Sequence, residues 1–140
     1  MTNEDQCAKS ILEVAPKIIH FIRTKARHSS DLTVPQFRVL ARLSSSPATN
    51  SELADIQGIS PPTMCRIVEG LVRKGFIKRN KNGKDDRRQI QLCLTKKGAK
   101  VLGSVLNKIK LSIITELETL SPSETKALKE GVSILAKVFP

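Results

Sequence analysis

The sequence predicts a mainly α chain with one small β-hairpin past its middle. Three observations carry that prediction. Apolar residues recur at helical spacing over most of the length. Ser or Thr stands repeatedly just before those runs, where a helix needs a side chain to cap its free amides. One segment, Gln89 to Leu94, alternates apolar and polar residues instead, and Asn82-Gly83 precedes it as a hairpin turn signal.

From about Asp5 to Lys25, Ile11, Val14, Ala15, Ile18, Ile19 and Ile22 mark a first amphipathic helix, with Pro16 positioned to kink its N-terminal turns. A polar break at His28-Ser29-Ser30-Asp31 follows. Thr33-Val34-Pro35-Gln36 is a capping box, and Phe37, Leu40, Ala41 and Leu43 give the second helix its apolar face before Ser44-Ser45-Ser46-Pro47 ends it. Thr49-Asn50-Ser51-Glu52 repeats the capping pattern ahead of a short third helix with Leu53, Ala54 and Ile56, closed by Gly58.

Ser60 then caps a fourth helix, with Pro61 at its first position, where a missing amide costs nothing. Ile59 and Met64 suit a hydrophobic staple. Met64, Ile67, Val68, Leu71 and Val72 form the apolar stripe; Thr63, Arg66, Glu69, Arg73 and Lys74 lie off it; Gly75 sits at the left-handed C-terminal position. Two short helices around a tight turn are the helix-turn-helix arrangement, whose second helix enters a DNA major groove. Phe76-Ile77-Lys78-Arg79 and Gln89–Leu94 add two strands joined by a basic loop, which makes a winged helix. Thr95 caps a long helix through Val101, Leu102, Val105, Leu106, Ile109, Ile113, Leu117 and Leu120. At about 25 residues it spans roughly 38 Å, more than the small winged region covers. Ser121-Pro122-Ser123-Glu124 opens a last helix with Leu128, Val132, Leu135, Val138 and Phe139. Residues 1–31 and 99–140 are therefore expected to supply dimerisation helices around a winged region at 32–98, all within one continuous domain.

Composition narrows the function. The 140 residues carry 24 Lys and Arg against 13 Asp and Glu, a formal charge of +11. Such a charge gathers polyanions, nucleic acid first and an anionic membrane surface second. Eight of the basic residues fall between Arg73 and Arg88 beside only Asp85 and Asp86, so the excess is local. Trp and Tyr are absent and Phe occurs four times, leaving few platforms for stacking on single-stranded bases. No apolar run is long enough for a membrane span, and the polar, acidic N-terminus lacks the pattern of a secretory signal. A cytoplasmic protein associated with the nucleoid is the expectation. Cys7, Cys65 and Cys93 show neither a disulfide framework nor zinc spacing. His20 and His28 have no catalytic constellation around them and no phosphate-cradling glycine loop exists, so neither enzymatic activity nor a metal or other cofactor is expected.

Taken in order, the motifs resemble the MarR family of winged-helix homodimers over nearly the whole length. Leu32-Thr33-x-x-Gln36-Phe37-x-x-Leu40 is similar to the family's second-helix opening. Leu53-Ala54, Thr63, Ile67 and Leu71-x-x-x-Gly75-x-Ile77-x-Arg79 are similar to its recognition helix and first strand, and Asp86-Arg87-Arg88 with Leu94-Thr95-x-x-Gly98 to its wing. The resemblance implies a transcription factor, commonly a repressor, that binds a pseudo-palindromic operator in double-stranded DNA. It also implies that Arg88 enters the minor groove while Asp86 holds the loop. The loop looks one residue longer than in common members, which leaves Asp85 as an alternative to Asp86, and Pro61-Pro62 stiffens the entry to the recognition helix.

The candidate recognition residues are Ser60, Pro62, Thr63, Arg66, Glu69 and Arg73. Short polar side chains suit the helix start near the base edges, Arg66 can fork onto guanine, and Glu69 can accept from cytosine or simply face solvent or an arginine. Arg73 suits a phosphate or the helix dipole. In the wing the candidates are Arg79, Lys81, Lys84, Asp86, Arg87 and Arg88: arginines suit a narrow minor groove, a neighbouring carboxylate can aim them, and the lysines suit phosphates. A salt-bridged hairpin tip without a DNA role is the alternative. Relatives implied by the resemblance bind small aromatic anions between winged region and dimer helices. Lys17, His20 and Arg23 are candidates for that cleft, against a plain solvated face. Cys7 has no Tyr to activate it as in the peroxide-sensing relatives the resemblance brings in; Cys65 on the recognition helix and Cys93 on the polar side of a strand are expected to be unreactive, the alternative being a thiol that gates DNA binding on oxidation. Two other functions fit the same pattern: nonspecific architectural DNA binding, and a winged helix used for protein contacts.

Overall fold

Thr2 opens the first helix. Its hydroxyl accepts from the Asp5 amide at 3.1 Å and the Asp5 carboxylate accepts from the Thr2 amide at 3.1 Å, so α1 begins at Asn3 and continues to Ser29. The expected helix is therefore extended at both ends. Pro16 stays inside it; the carbonyl that Pro16 leaves unpaired belongs to Leu12, which is 76% exposed, where water can take the lost donor's place.

The computed structural model describes residues 1–81 and 90–140. α2 (Val34–Leu43) has both halves of the Thr33–Gln36 box. α3 (Asn50–Gln57) has one half, Thr49 accepting from the Glu52 amide at 3.2 Å. α4 (Pro61–Arg73) is capped by Ser60. It ends in a Schellman motif: the Gly75 amide donates to the Val72 carbonyl at 2.9 Å and the Phe76 amide to the Leu71 carbonyl at 3.0 Å. Gly75 takes φ +77°, which a side chain would strain. Two antiparallel strands follow, β1 (Ile77–Lys81) and β2 (Ile90–Leu94), in the register Ile77 to Leu94 and Lys81 to Ile90. α5 (Lys96–Leu117) is three residues shorter than the sequence suggests, because the chain turns at Glu118. α6 (Pro122–Val138) carries the full Ser121–Glu124 box.

The core is built where the helical stripes converge. Phe37, Val39, Leu40 and Leu43 of α2 meet Leu53 and Ala54 of α3 and Met64, Val68 and Leu71 of α4. Leu102, Val105 and Ile109 of α5 close it from below, and Ala26 brings in the end of α1. Ile59 packs against this cluster, to which the buried Met64 belongs, whereas Ile56 is exposed. One long-range feature has no local sequence pattern. Ala48 and Leu92 exchange both backbone hydrogen bonds, at 3.2 and 2.8 Å, and so tie the start of α3 to the second strand. The result is mainly α with a small hairpin, and it gives α4 a buried back and an exposed front.

Candidate nucleic-acid interface

α4 exposes one stripe because its opposite face is apolar. Pro62, Arg66, Glu69 and Arg73 recur at intervals of four, three and four residues, and all four are exposed while Met64, Val68 and Leu71 are buried. Ser60 and Thr63 sit at the open end. The Ser60 hydroxyl accepts from the Thr63 amide at 3.3 Å and donates to the Thr63 Oγ1 at 2.8 Å, so both short polar groups are held at the helix N-terminus. No acidic residue occupies the first turn of α4. The positive end of the helix is thus left uncompensated, which favours an approaching phosphate.

Arg79 belongs to β1, opposite Leu92. It lines a cavity of about 210 Å³ together with Glu69 and Cys65 of α4 and Thr49, Asn50 and Ser51 at the start of α3. The structure thereby brings β1 and α4 to a single concavity lined by both Glu69 and Arg79. Lys81 is exposed at the end of β1. Lys84, Asp86, Arg87 and Arg88, together with the alternative Asp85 and the Asn82-Gly83 turn, lie outside the described residues.

Two residues of this surface lie outside the candidate recognition and wing sets. Cys65 is exposed on α4 at the edge of the polar front, which its position off the apolar stripe already signals. Asn50, whose amide reaches α4, carries no such signal. Lys17, His20 and Arg23 are exposed on α1 and line neither the cavity above nor a second one of about 410 Å³. That second cavity lies where the end of α1, the end of α4 and α5 meet, with Lys74, Phe76 and Lys108 among its walls. Lys108 Nζ donates there to the Ser29 carbonyl at 3.0 Å.

Comparison with known proteins places this arrangement. The family model described as MarR family matches residues 30–88. The chain is 32% identical over 110 residues to the HTH-type transcriptional regulator YfiV of Bacillus subtilis, an alignment covering 78% of this chain and 68% of that protein.

The chain belongs to the MarR family.

It shares the fold of RV1404 from Mycobacterium tuberculosis, with a TM-score of 0.75 and 24% identity over 99% of this chain and 95% of that one. Wild-type MarR of E. coli in its apo form gives a TM-score of 0.71 and 24% identity, over 95% of this chain and 96% of that one. At the level of the family the function is transcription regulation through DNA binding. Among the described residues no helix is long and apolar enough to cross a membrane.

Proposed function

We propose that this MarR-family chain is a homodimeric repressor that binds a pseudo-palindromic operator in the nucleoid. The observation that carries the reading is the capped, exposed front of α4, with Arg66 in the middle of its stripe and Arg79 at the edge of the same surface. Ser60, Thr63, Arg66 and Glu69 face base edges in the major groove, while Arg73, Lys81 and Lys84 meet phosphates. Arg87 and Arg88, with Asp86, are assigned to the minor groove.

Dimerisation through residues 1–31 and 99–140 is supported by apolar surface left uncovered within the chain. α6 has no buried residue, yet Leu128, Val132, Leu135 and Phe139 line one side and Ile134 and Val138 the adjoining one. Leu12, Ile18 and Ile19 of α1 and Leu111 and Ile114 of α5 are exposed as well. Exposed apolar residues gathered on these three helices support an interface there. Two-fold pairing sets two copies of α4 into successive major grooves, with half-sites roughly 10 bp apart. Release by a small aromatic anion is the remaining element. Lys17, His20 and Arg23 offer it a basic stretch on α1, and the cavity bounded by Lys74, Phe76 and Lys108 offers a partly apolar recess.

Enrichment of duplexes from a randomised pool tests the reading. The expected outcome is a palindromic consensus bound ~10³-fold or more tightly than the unselected pool. Uniform binding would instead mark an architectural protein, and no binding a protein-contact module. Val132→Asp places a charge in the proposed interface, so sedimentation should turn from dimer to monomer and operator binding should fall with it. A monomeric wild type would overturn the pairing.

A further inference from the structure

Asn50 is the first residue of α3 and Pro61 the first residue of α4, and one side-chain hydrogen bond joins them. Asn50 Nδ2 donates to the Pro61 carbonyl at 3.2 Å, within the normal range. The other end of the amide gains nothing comparable: Asn50 Oδ1 is buried and has no hydrogen-bond partner among the described residues. A buried acceptor without a partner is costly, so the donor end must account for the amide's presence. Two positions earlier, Ala48 is fixed to Leu92 of the hairpin by a pair of backbone hydrogen bonds. Asn50 therefore stands between the base of the wing and the entry of the recognition helix.

We infer that Asn50 is a positioning residue for base readout, setting where the first turn of α4 lies relative to the wing. The inference rests on the DNA-binding reading above and deepens it. Ser60, Pro62 and Thr63 belong to that first turn, so a shift there misplaces the groups nearest the base edges. Nonspecific attraction to phosphates depends on charge and is insensitive to such a shift.

Two variants test it. Asn50→Ala removes the amide. Asn50→Asp keeps the shape and suits the start of α3, since a carboxylate is favourable near a helix N-terminus, but an ionised carboxylate cannot donate to the Pro61 carbonyl. The probes are the duplex enriched by the wild type and the unselected pool. The expected result is a roughly tenfold loss of the preference ratio in both variants, the size of one lost hydrogen bond, while Asn50→Ala binds the unselected pool as the wild type does. An unchanged ratio in both variants, or an equal loss on both probes, would overturn the inference. Amide exchange separates its failure from failure of the DNA reading. Without any DNA, Asn50→Asp should exchange the amides of Met64 and Cys65 faster than the wild type, and unchanged exchange overturns the brace whatever the duplex does.

Discussion

Replacing Gly98 by Ala gives the most direct test of how α5 is seated under the wing. A Cβ built at Gly98 would lie 2.0 Å from the Phe76 carbonyl oxygen, 2.8 Å from its carbon and 2.9 Å from Leu94 Cδ1. An ordinary carbon–oxygen contact is about 3.3 Å, so backbone would have to move by more than about 1 Å. The backbone in question is already committed. The Phe76 carbonyl accepts from the Thr95 amide at 3.0 Å, and the Thr95 hydroxyl donates to the Gly75 carbonyl at 2.6 Å while accepting from the Gly98 amide at 3.0 Å. Overpacking of this kind costs about 1–3 kcal/mol. A weakened hydrogen bond adds about 1 kcal/mol, and the better helix propensity of Ala returns up to about 1 kcal/mol. The net loss is about 1–4 kcal/mol, or roughly 4–16 °C in Tm for a chain of this size. Gly103→Ala is the control. It lies in the same helix with nothing within 4 Å of the added carbon, so the propensity gain stands alone and Tm should rise by a few degrees. Thermal unfolding of the three proteins at equal concentration measures both changes. If Gly98→Ala melts at or above the wild type, or if the two substitutions shift Tm alike, the close approach does not hold α5 in place.

Two further outcomes follow from the same structure. Arg66→Ala should weaken binding to the enriched duplex by ~10- to 100-fold with a smaller change on the unselected pool, and Arg66→Lys should not restore it, because a lysine cannot make the planar fork onto guanine; competition binding at fixed salt decides. The Glu124 carboxyl is held below the ordinary glutamate range by hydrogen bonds from the Ser121 backbone and side chain. Its folded value thus lies under its unfolded one, so its support for the start of α6 is complete above the unfolded value and is lost as pH falls through the folded one. A carboxyl titration by NMR should move only part of the way upward in Ser121→Ala, because the larger contribution, the backbone amide of residue 121, remains; an unmoved midpoint would show that the Ser121 hydroxyl contributes nothing.

Much of the fold was legible because local chemistry decides it. Thr33, Thr49, Ser60, Thr95 and Ser121 each cap a helix through a hydroxyl that a sequence pattern can reveal. The front of α4 followed from its apolar back by subtraction. Long-range contacts were less legible. The Ala48–Leu92 pairing joins positions far apart in sequence, and neither residue differs from an ordinary apolar one. Asn50 reads as one more polar residue at a helix start until Pro61 is placed beside it. Ile56 looked like core because eight residues give too few turns to fix a stripe, and it is 54% exposed. At the start of α1 the Thr2–Asp5 capping box lies ahead of the apolar repeat and begins the helix at Asn3, two residues before the start near Asp5 that the repeat suggests.

The two ends of α4 are held by different parts of the chain, and this divides their effects on recognition. At its N-terminus Asn50 ties it to α3 and, through Ala48, to β2. At its C-terminus the Gly75 carbonyl is bound by Thr95, the residue that caps α5. α5 continues from that cap toward the uncovered apolar surface of its far half and of α6. In the proposed dimer the orientation of α5 and α6 therefore fixes the separation of the two recognition helices, whereas the contacts around Asn50 fix what each helix reads. Substitutions in α6 that repack the interface without breaking it should alter the preferred distance between half-sites and leave the bases within each half-site unchanged. Substitutions at Asn50 should do the reverse, and duplex pools with the two half-sites set at varied spacings distinguish the two behaviours. A repacked α6 that changed base preference within a half-site would mean that the two ends of α4 are not independently held.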